Sequence, residues 1–221
     1  MAVRTIEVKE SITASNDRDA EALRESLKDE GIFLINLMSS PGSGKTTLLL
    51  KTINDLKDKL NIGVIEADIA SDVDAVKIND AGARSIQIHT DGMCHVDAGM
   101  TETALREFAP KGLDLVFLEN IGNLICPAEF DTGAMKNVMI LSVPEGDDKP
   151  LKYPLMFSKS QVLLVTKIDT VSVFDFDFEK LRERVKRLNP SIEIFEVSAK
   201  TGEGMDLWEN WLTGEIENFR S

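Results

Sequence analysis

The chain has 221 residues, and 38 Asp and Glu against 25 Lys and Arg leave a formal net charge of −13. That length supplies one full α/β domain with its core and not two large ones. So acidic a surface repels nucleic-acid backbones and anionic membranes, and neither is expected as a partner.

The first ten residues are mixed and charged, without the apolar stretch of a secretory signal, and no apolar run approaches the ~20 residues that span a bilayer. Two cysteines, Cys94 and Cys126, make no disulfide framework. The expected setting is a reducing cytoplasm.

Residues 1–15 carry no clear pattern and read as a short arm or strand. Ser15 or Asn16 can cap a helix over 17–29, with Gly31 just past its end. Residues 1–31 are thus an N-terminal arm and helix, and 32–221 one globular domain. Ile32–Met38 is an apolar run of strand length, and a Gly-rich turn follows it. A helix over 45–59 comes next, with Leu48, Leu49, Ile53, Leu56 and Leu60 at helical spacing. Further strands are expected at 62–67, 84–88, 113–119, 137–143, 161–166 and 192–197, and helices at 72–80, 96–108, 177–188 and 205–219. The strands are continuously apolar, which means burial on both faces, as in a parallel sheet covered by helices. The stretches 123–136 and 144–153 are the longest irregular ones, and long loops in compact domains are often functional.

The turn after the first strand reads Ser39-Ser-Pro-Gly-Ser-Gly-Lys-Thr46. It matches the phosphate-binding pattern G-x-x-x-x-G-K-[ST] except that Ser39 replaces the first glycine. Gly42, Ser43 and Gly44 let backbone N–H groups converge on phosphate oxygens. Lys45 reaches the β- and γ-phosphates, Thr46 offers its hydroxyl to Mg2+, and Thr47 continues the helix N-terminus. The fold expected is therefore a three-layer P-loop NTPase, with a mostly parallel central sheet and helices on both faces. In Leu113-Asp-Leu-Val-Phe-Leu-Glu119-Asn-Ile-Gly122 an apolar strand ends in a carboxylate. Glu119 is a candidate near Mg2+, and Gly122 can offer its N–H to the γ-phosphate. Asp68 and Asp72 follow the second strand as candidates for the metal's water shell and for positioning the attacking water. A capping role for Ser71 or Asp72 explains the pattern equally well.

Thr166-Lys167-Ile-Asp169 follows a strand and fits the guanine-reading pattern [NT]-K-x-D. The Asp169 carboxylate accepts from guanine N1 and N2, hydrogens that adenine does not present, and Lys167 covers the base. Ser198-Ala199-Lys200, after the next strand, supplies a second base-contact loop. The expected nucleotide is GTP with Mg2+, and the expected reaction is its hydrolysis to GDP and phosphate. Candidate catalytic residues are Lys45, Asp72 and, from the loop Glu145–Lys152, Lys152.

These motifs, with Met93-Cys-His-Val-Asp-Ala98, Glu119-Asn-Ile-Gly-Asn-Leu-Ile-Cys-Pro127 and Glu145-Gly-Asp-Asp148, resemble the nickel-inserting GTPases of hydrogenase maturation, the HypB family. The likeness runs from about residue 32 to 200. It implies a GTP-dependent homodimer in which Lys152, or else Lys149, reaches the partner's nucleotide. It also implies Ni2+ delivery to a [NiFe]-hydrogenase precursor, working with a maturation partner and the hydrogenase large subunit. Residues 1–30 lack the Cys- or His-rich tract of many members, which leaves only a metal site in the GTPase domain. A urease-type nickel-chaperone GTPase is an alternative, although its Cys-Pro-His motif is missing. A P-loop small-molecule kinase and a passive metal binder are others.

His89, Cys94, His95 and Cys126 fall in one 38-residue stretch. Thiolate and imidazole suit zinc and nickel alike. Cys94, His95 and Cys126 are the metal candidates, and His89 is assigned a structural role. The plain alternative is that both cysteines are small buried hydrophobes. Three ligands make an incomplete shell that a two-fold dimer would complete. Cys126 lies four residues after Gly122, so metal affinity is expected to depend on nucleotide state.

Overall fold

The computed structural model describes residues 8–67, 73–90 and 92–221 of the chain. Helix α1 (Val8–Asp29) precedes β1 (Phe33–Ser39), α2 (Lys45–Leu56), β2 (Ile62–Glu66), α3 (Val73–Ala81), β3 (Arg84–Gln87), α4 (Ala98–Phe108) and β4 (Leu115–Glu119). Then come β5 (Lys136–Ser142), α5 (Lys149–Lys152), α6 (Pro154–Lys159), β6 (Val162–Thr166), α7 (Phe178–Leu188), β7 (Glu193–Glu196) and α8 (Met205–Arg220).

The strands form one seven-stranded sheet in the order β3-β2-β4-β1-β5-β6-β7. Every neighbouring pair among the described residues is parallel, in line with the parallel central sheet expected. β1, β2, β4 and β6 are buried along their whole length, as continuous apolar runs require. One face of the sheet, from Phe33, Ile35, Leu37, Val64, Phe117 and Ile140, packs on Leu48, Leu49 and Ile53 of α2 and Trp208, Leu212 and Ile216 of α8. The other face divides into two patches. Leu34, Ile65, Val116 and Leu118 meet Leu23 and Leu27 of α1 and Leu105 and Phe108 of α4. Met139, Leu141, Leu163 and Val165 meet α6 and α7. This is the three-layer P-loop arrangement, with the loops that follow the strands gathered at their C-terminal ends.

Two expectations need correction. Helix α1 already runs at Val8, the first described residue, and does not start near residue 17, so residues 8–15 are helix and neither arm nor strand. Asn16 is an interior residue of α1 and does not cap it; its side chain is committed to other segments, which makes the local capping signal misleading. The irregular stretch 144–153 also contains helix: α5 occupies 149–152 and α6 follows directly. Pro150 and Pro154 sit in the first turns of these helices, where a missing N–H costs nothing and a fixed φ helps.

Candidate nucleotide and metal sites

The phosphate turn leaves β1 at Ser39, which is fully buried and still part of the strand. Only Gly42 (φ 76°) and Gly44 (φ 100°) in the turn need the left-handed region. The backbone at residue 39 therefore does not demand glycine, which accounts for the departure from the motif. Gly44 is the N-cap of α2, and no side chain caps that helix end. Lys45 is buried, Thr46 is half-buried and Thr47 exposed. The buried Ser43 hydroxyl has no hydrogen-bond partner among the described residues.

The loop Thr166–Asp169, expected from sequence to read the base, is stitched directly to this turn. Thr166 Oγ1 donates to the Ser43 carbonyl at 2.7 Å, and Lys167 Nζ donates to the Gly42 carbonyl at 2.7 Å. Lys167 adopts φ 60°, an uncommon conformation for a non-glycine residue. The buried Ser198 hydroxyl donates to Asp169 Oδ1 at 2.7 Å, and Lys200 Nζ lies 4.0 Å from Oδ2. The two base loops expected from sequence thus meet at the Asp169 carboxylate, and Ala199 lies half-buried between their contacts.

At the ends of β2 and β4, Glu66 and Glu119 stand side by side in register, both buried. The strand alternation puts them on the face that α2 covers. Two buried carboxylates this close call for positive charge beside them. Lys45 and Mg2+ are the suited chemistries, so the donor set fits a hard cation. Glu66 was missed in the sequence, although it ends an apolar strand just as Glu119 does. Asp68 and Asp72 lie outside the described residues. After Glu119, Asn120 is fully buried. Its Nδ2 donates to Asn36 Oδ1 at 3.0 Å, its Oδ1 accepts from Ile121 N at 2.9 Å, and Asn36 passes the chain on to Asn137 at 2.9 Å. This amide row fixes the turn into Gly122. A Cβ on Gly122 would stand 3.0 Å from Pro41 Cγ, so the segment around Gly122 rests on the phosphate turn.

The loop ahead of α4 and the 3-10 turn Cys126–Ala128 bring the cysteines together. The thiol of exposed Cys94 lies against Cys126, which pushes the Cys94 pKa up. Cys94 Sγ is 3.9 Å from His95 Nδ1. His95 is buried and stacks on Phe130, with centroids 3.7 Å apart and planes at 10°. Burial lowers its pKa, against the opposing pull of Asp97 and Glu129, which favours the neutral imidazole that a metal needs. Among the described residues, no three His, Cys, Asp or Glu side chains form a ready metal cage. His89 lines a cavity of about 560 Å³ between the end of β3 and α4, with Ile88, Asp97 and Met100.

In the loop after β5, Ser142 and Glu145 form a capping box. Asp147 takes an ion pair from Arg184 and a hydrogen bond from Asp177 N at 2.8 Å. Lys152 pairs with Asp148 at 2.6 Å and is exposed, while Lys149 lies 5.6 Å from the Tyr153 ring centroid. Leu151 of α5, Leu155 of α6, and Val173 and Phe174 of the loop after β6 are exposed apolar side chains.

The nucleotide-binding domain of the CobW/HypB/UreG family matches residues 33–196. A curated hydrogenase maturation factor HypB from Rhizobium leguminosarum bv. viciae is 46% identical over 209 residues, which cover 95% of this chain and 70% of that protein. The chain belongs to the HypB family. Among solved structures, HypB from Archaeoglobus fulgidus superposes with a TM-score of 0.86 at 36% identity, over 92% of this chain and 99% of that one. HypB from Helicobacter pylori, solved in complex with nickel, superposes with a TM-score of 0.86 at 39% identity, over 94% and 98% of the two chains. No helix among the described residues of this HypB-family chain is long and apolar enough to cross a membrane.

Proposed function

We propose that this chain is a GTP-hydrolysing metallochaperone that carries Ni2+ or Zn2+ and supports nickel insertion into a [NiFe]-hydrogenase precursor. The observation that carries the reading is the physical continuity of its two sites. The guanine loop is bonded to the phosphate turn, that turn touches Gly122, and four residues on lies one of a pair of adjacent thiols.

The chain's own groups divide the work. Asp169, held by the Ser198 hydroxyl, accepts from guanine N1 and N2. The N–H groups from Gly42 to Thr47 and the Lys45 ammonium receive the phosphates. Thr46, Glu119 and Asp68 would hold Mg2+, which when bound neutralises charge developing on the β- and γ-phosphate oxygens. Asp72 orients the attacking water. In a GTP-dependent homodimer, Lys152 or Lys149 of one copy reaches the nucleotide of the other, as an arginine finger does. The exposed Val173, Phe174, Leu151 and Leu155 support an apolar contact. Cys94, His95 and Cys126 take up the metal as cargo, and a second copy supplies the ligands that one chain lacks. A hydrogenase-maturation partner and the hydrogenase large subunit receive it.

The test is a competition titration of Ni2+ and Zn2+ against a chromophoric chelator, with GDP and with a non-hydrolysable GTP analogue. Phosphate release and sedimentation are measured in parallel. A metal affinity that changes with nucleotide supports the reading, and linkage then requires an equal change in GTP affinity when metal is bound. Identical affinities in both states would leave a passive metal binder. A monomer under GTP analogue at tens of micromolar (roughly the range of modest interface energies) would remove the dimer.

A further inference from the structure

Asparagine is a poor residue for the interior of a helix, because its amide competes for backbone hydrogen bonds. Asn16 nevertheless occupies the middle of α1 and is 8% exposed. Its amide is used in full across the fold. Oδ1 accepts from Ala98 N at 2.9 Å, one of the N–H groups that the first turn of α4 cannot satisfy internally. Nδ2 donates to the Asp131 carbonyl at 2.9 Å. Two turns further along α1, Arg24 grips the Asp131 carboxylate through both nitrogens, at 2.8 and 2.9 Å, so Asp131 is held to the helix at two points.

Ala98 is three residues after His95, and Asp131 is five residues after Cys126. Three contacts therefore join the same two segments one after another: Cys94 against Cys126, His95 on Phe130, and Ala98 to Asp131 through Asn16. The first two are soft, a thiol contact and a ring stack. The third is directional, largely buried, and reaches both segments. The intervening backbone is short and tied, by the 3-10 turn with Glu129 N on the Cys126 carbonyl at 3.0 Å and by the fully buried Val96.

We infer that Asn16 is a positioning residue for the metal site, its carboxamide holding the start of α4 and the Cys94–His95 loop in register with the segment that carries Cys126. The inference rests on the reading of Cys94, His95 and Cys126 as metal ligands, and it makes α1 the frame of that site. Groups that orient metal ligands without touching the metal commonly govern affinity nearly as much as the ligands do.

Two measurements on the full chain test it. The first is Ni2+ affinity by chelator competition. The second needs no metal: the rate at which oxidised glutathione closes a Cys94–Cys126 disulfide. In that reaction the two thiols give up two electrons and two protons, and the glutathione disulfide becomes two thiols. Asn16→Ala should weaken Ni2+ binding by about tenfold and slow disulfide closure several-fold, with GTP-analogue affinity unchanged. Asn16→Asp keeps the acceptor for Ala98 but turns the donor into a carboxylate facing the Asp131 carbonyl. It should fall between the wild type and Asn16→Ala, and it serves if the alanine variant does not fold. Leu27→Ala, a core change in the same helix, should lower the melting temperature while leaving both readouts at the wild-type level. Wild-type closure rate and Ni2+ affinity in folded Asn16→Ala would overturn the proposal, as would equal losses in Leu27→Ala. Slower closure in Asn16→Ala, with no Cys126-dependent Ni2+ binding in the wild type, would sustain the positioning role and overturn the metal-site reading.

Discussion

The proposed nucleotide site and the proposed metal site of this molecule are built in opposite ways. At the nucleotide end, side chains of the base loop bond to backbone carbonyls of the phosphate turn, and the two base loops share a hydrogen bond at Asp169, each at 2.7 Å. Donors and acceptors there have little left to rearrange, which is how a site binds its ligand at small entropic cost. At the metal end, two loops meet through a thiol contact and a ring stack, and no three ligands of the described chain converge. A pre-set site reads its ligand, whereas a site left partly open can be altered by what happens beside it. That contrast suits a machine in which the nucleotide sets the state and the metal responds.

The largest effect expected is on turnover. Lys45→Ala should cut GTP hydrolysis by about 10²–10³-fold, the typical result of removing one charge-stabilising donor; phosphate release checks it. Retained turnover would break the pre-set half of the comparison. Next comes the base. Asp169→Asn should weaken GTP binding by about 10²-fold, because a buried partner is left unpaired, and should improve binding of xanthosine triphosphate. Nucleotide titrations of both variants decide it, and equal binding of ATP and GTP to the wild type would remove the guanine assignment. The third effect is the coupling itself. Metal affinity should differ between the GDP and GTP-analogue states by about 5–150-fold, the usual range for linked sites, and Cys126→Ala should abolish the difference.

The smallest effect separates pH acting on the metal ligands from pH acting on the scaffold. Burial first, and then the neighbouring Asp55, raise the Glu209 pKa from 4.5 to about 7, and its Oε1 is buried without a hydrogen-bond partner among the described residues. The folded state then holds more protons than the unfolded state between those two values. Stability therefore falls as pH rises through that window. Glu209→Gln should flatten this slope and add roughly 1 kcal/mol at pH 8, a figure reduced for partial solvent screening. Melting curves from pH 4 to 8 (about the span of the two values) test it. This slope runs opposite to the loss of Ni2+ binding expected at low pH, where protons compete for the thiolates and imidazole, so a low-pH loss belongs to the ligands and not to Glu209.

Much of this arrangement could be read from residue order. Strands buried on both faces announce themselves as continuous apolar runs, and the motif loops follow at their ends, so the phosphate turn and Thr166–Asp169 fall where expected. What stayed hidden depends on contacts between distant segments. Residues 8–15 carry no helical signal of their own, yet they continue the helix that docks on the sheet through Leu23 and Leu27. Prolines at 150 and 154 look like breakers until their place in a first turn is seen. Glu66 becomes a candidate only when β2 is laid beside β4. Cys94 and Cys126 are separated by α4 and β4, and no spacing rule puts their thiols side by side. Nor does anything local give Asn16 two partners beyond residue 97.

The contact between Gly122 and Pro41 has a consequence for how such chains can diverge. A Cβ at position 122 would stand 3.0 Å from Pro41 Cγ and 3.2 Å from Pro41 Cδ, tighter than ordinary packing accepts. The two positions therefore form a single unit of sequence variation. A homologue carrying alanine at the position of Gly122 needs a smaller or displaced residue at that of Pro41, while one that keeps the proline stays with glycine. The phosphate turn and the segment around Gly122 are thereby tied in the residues they accept.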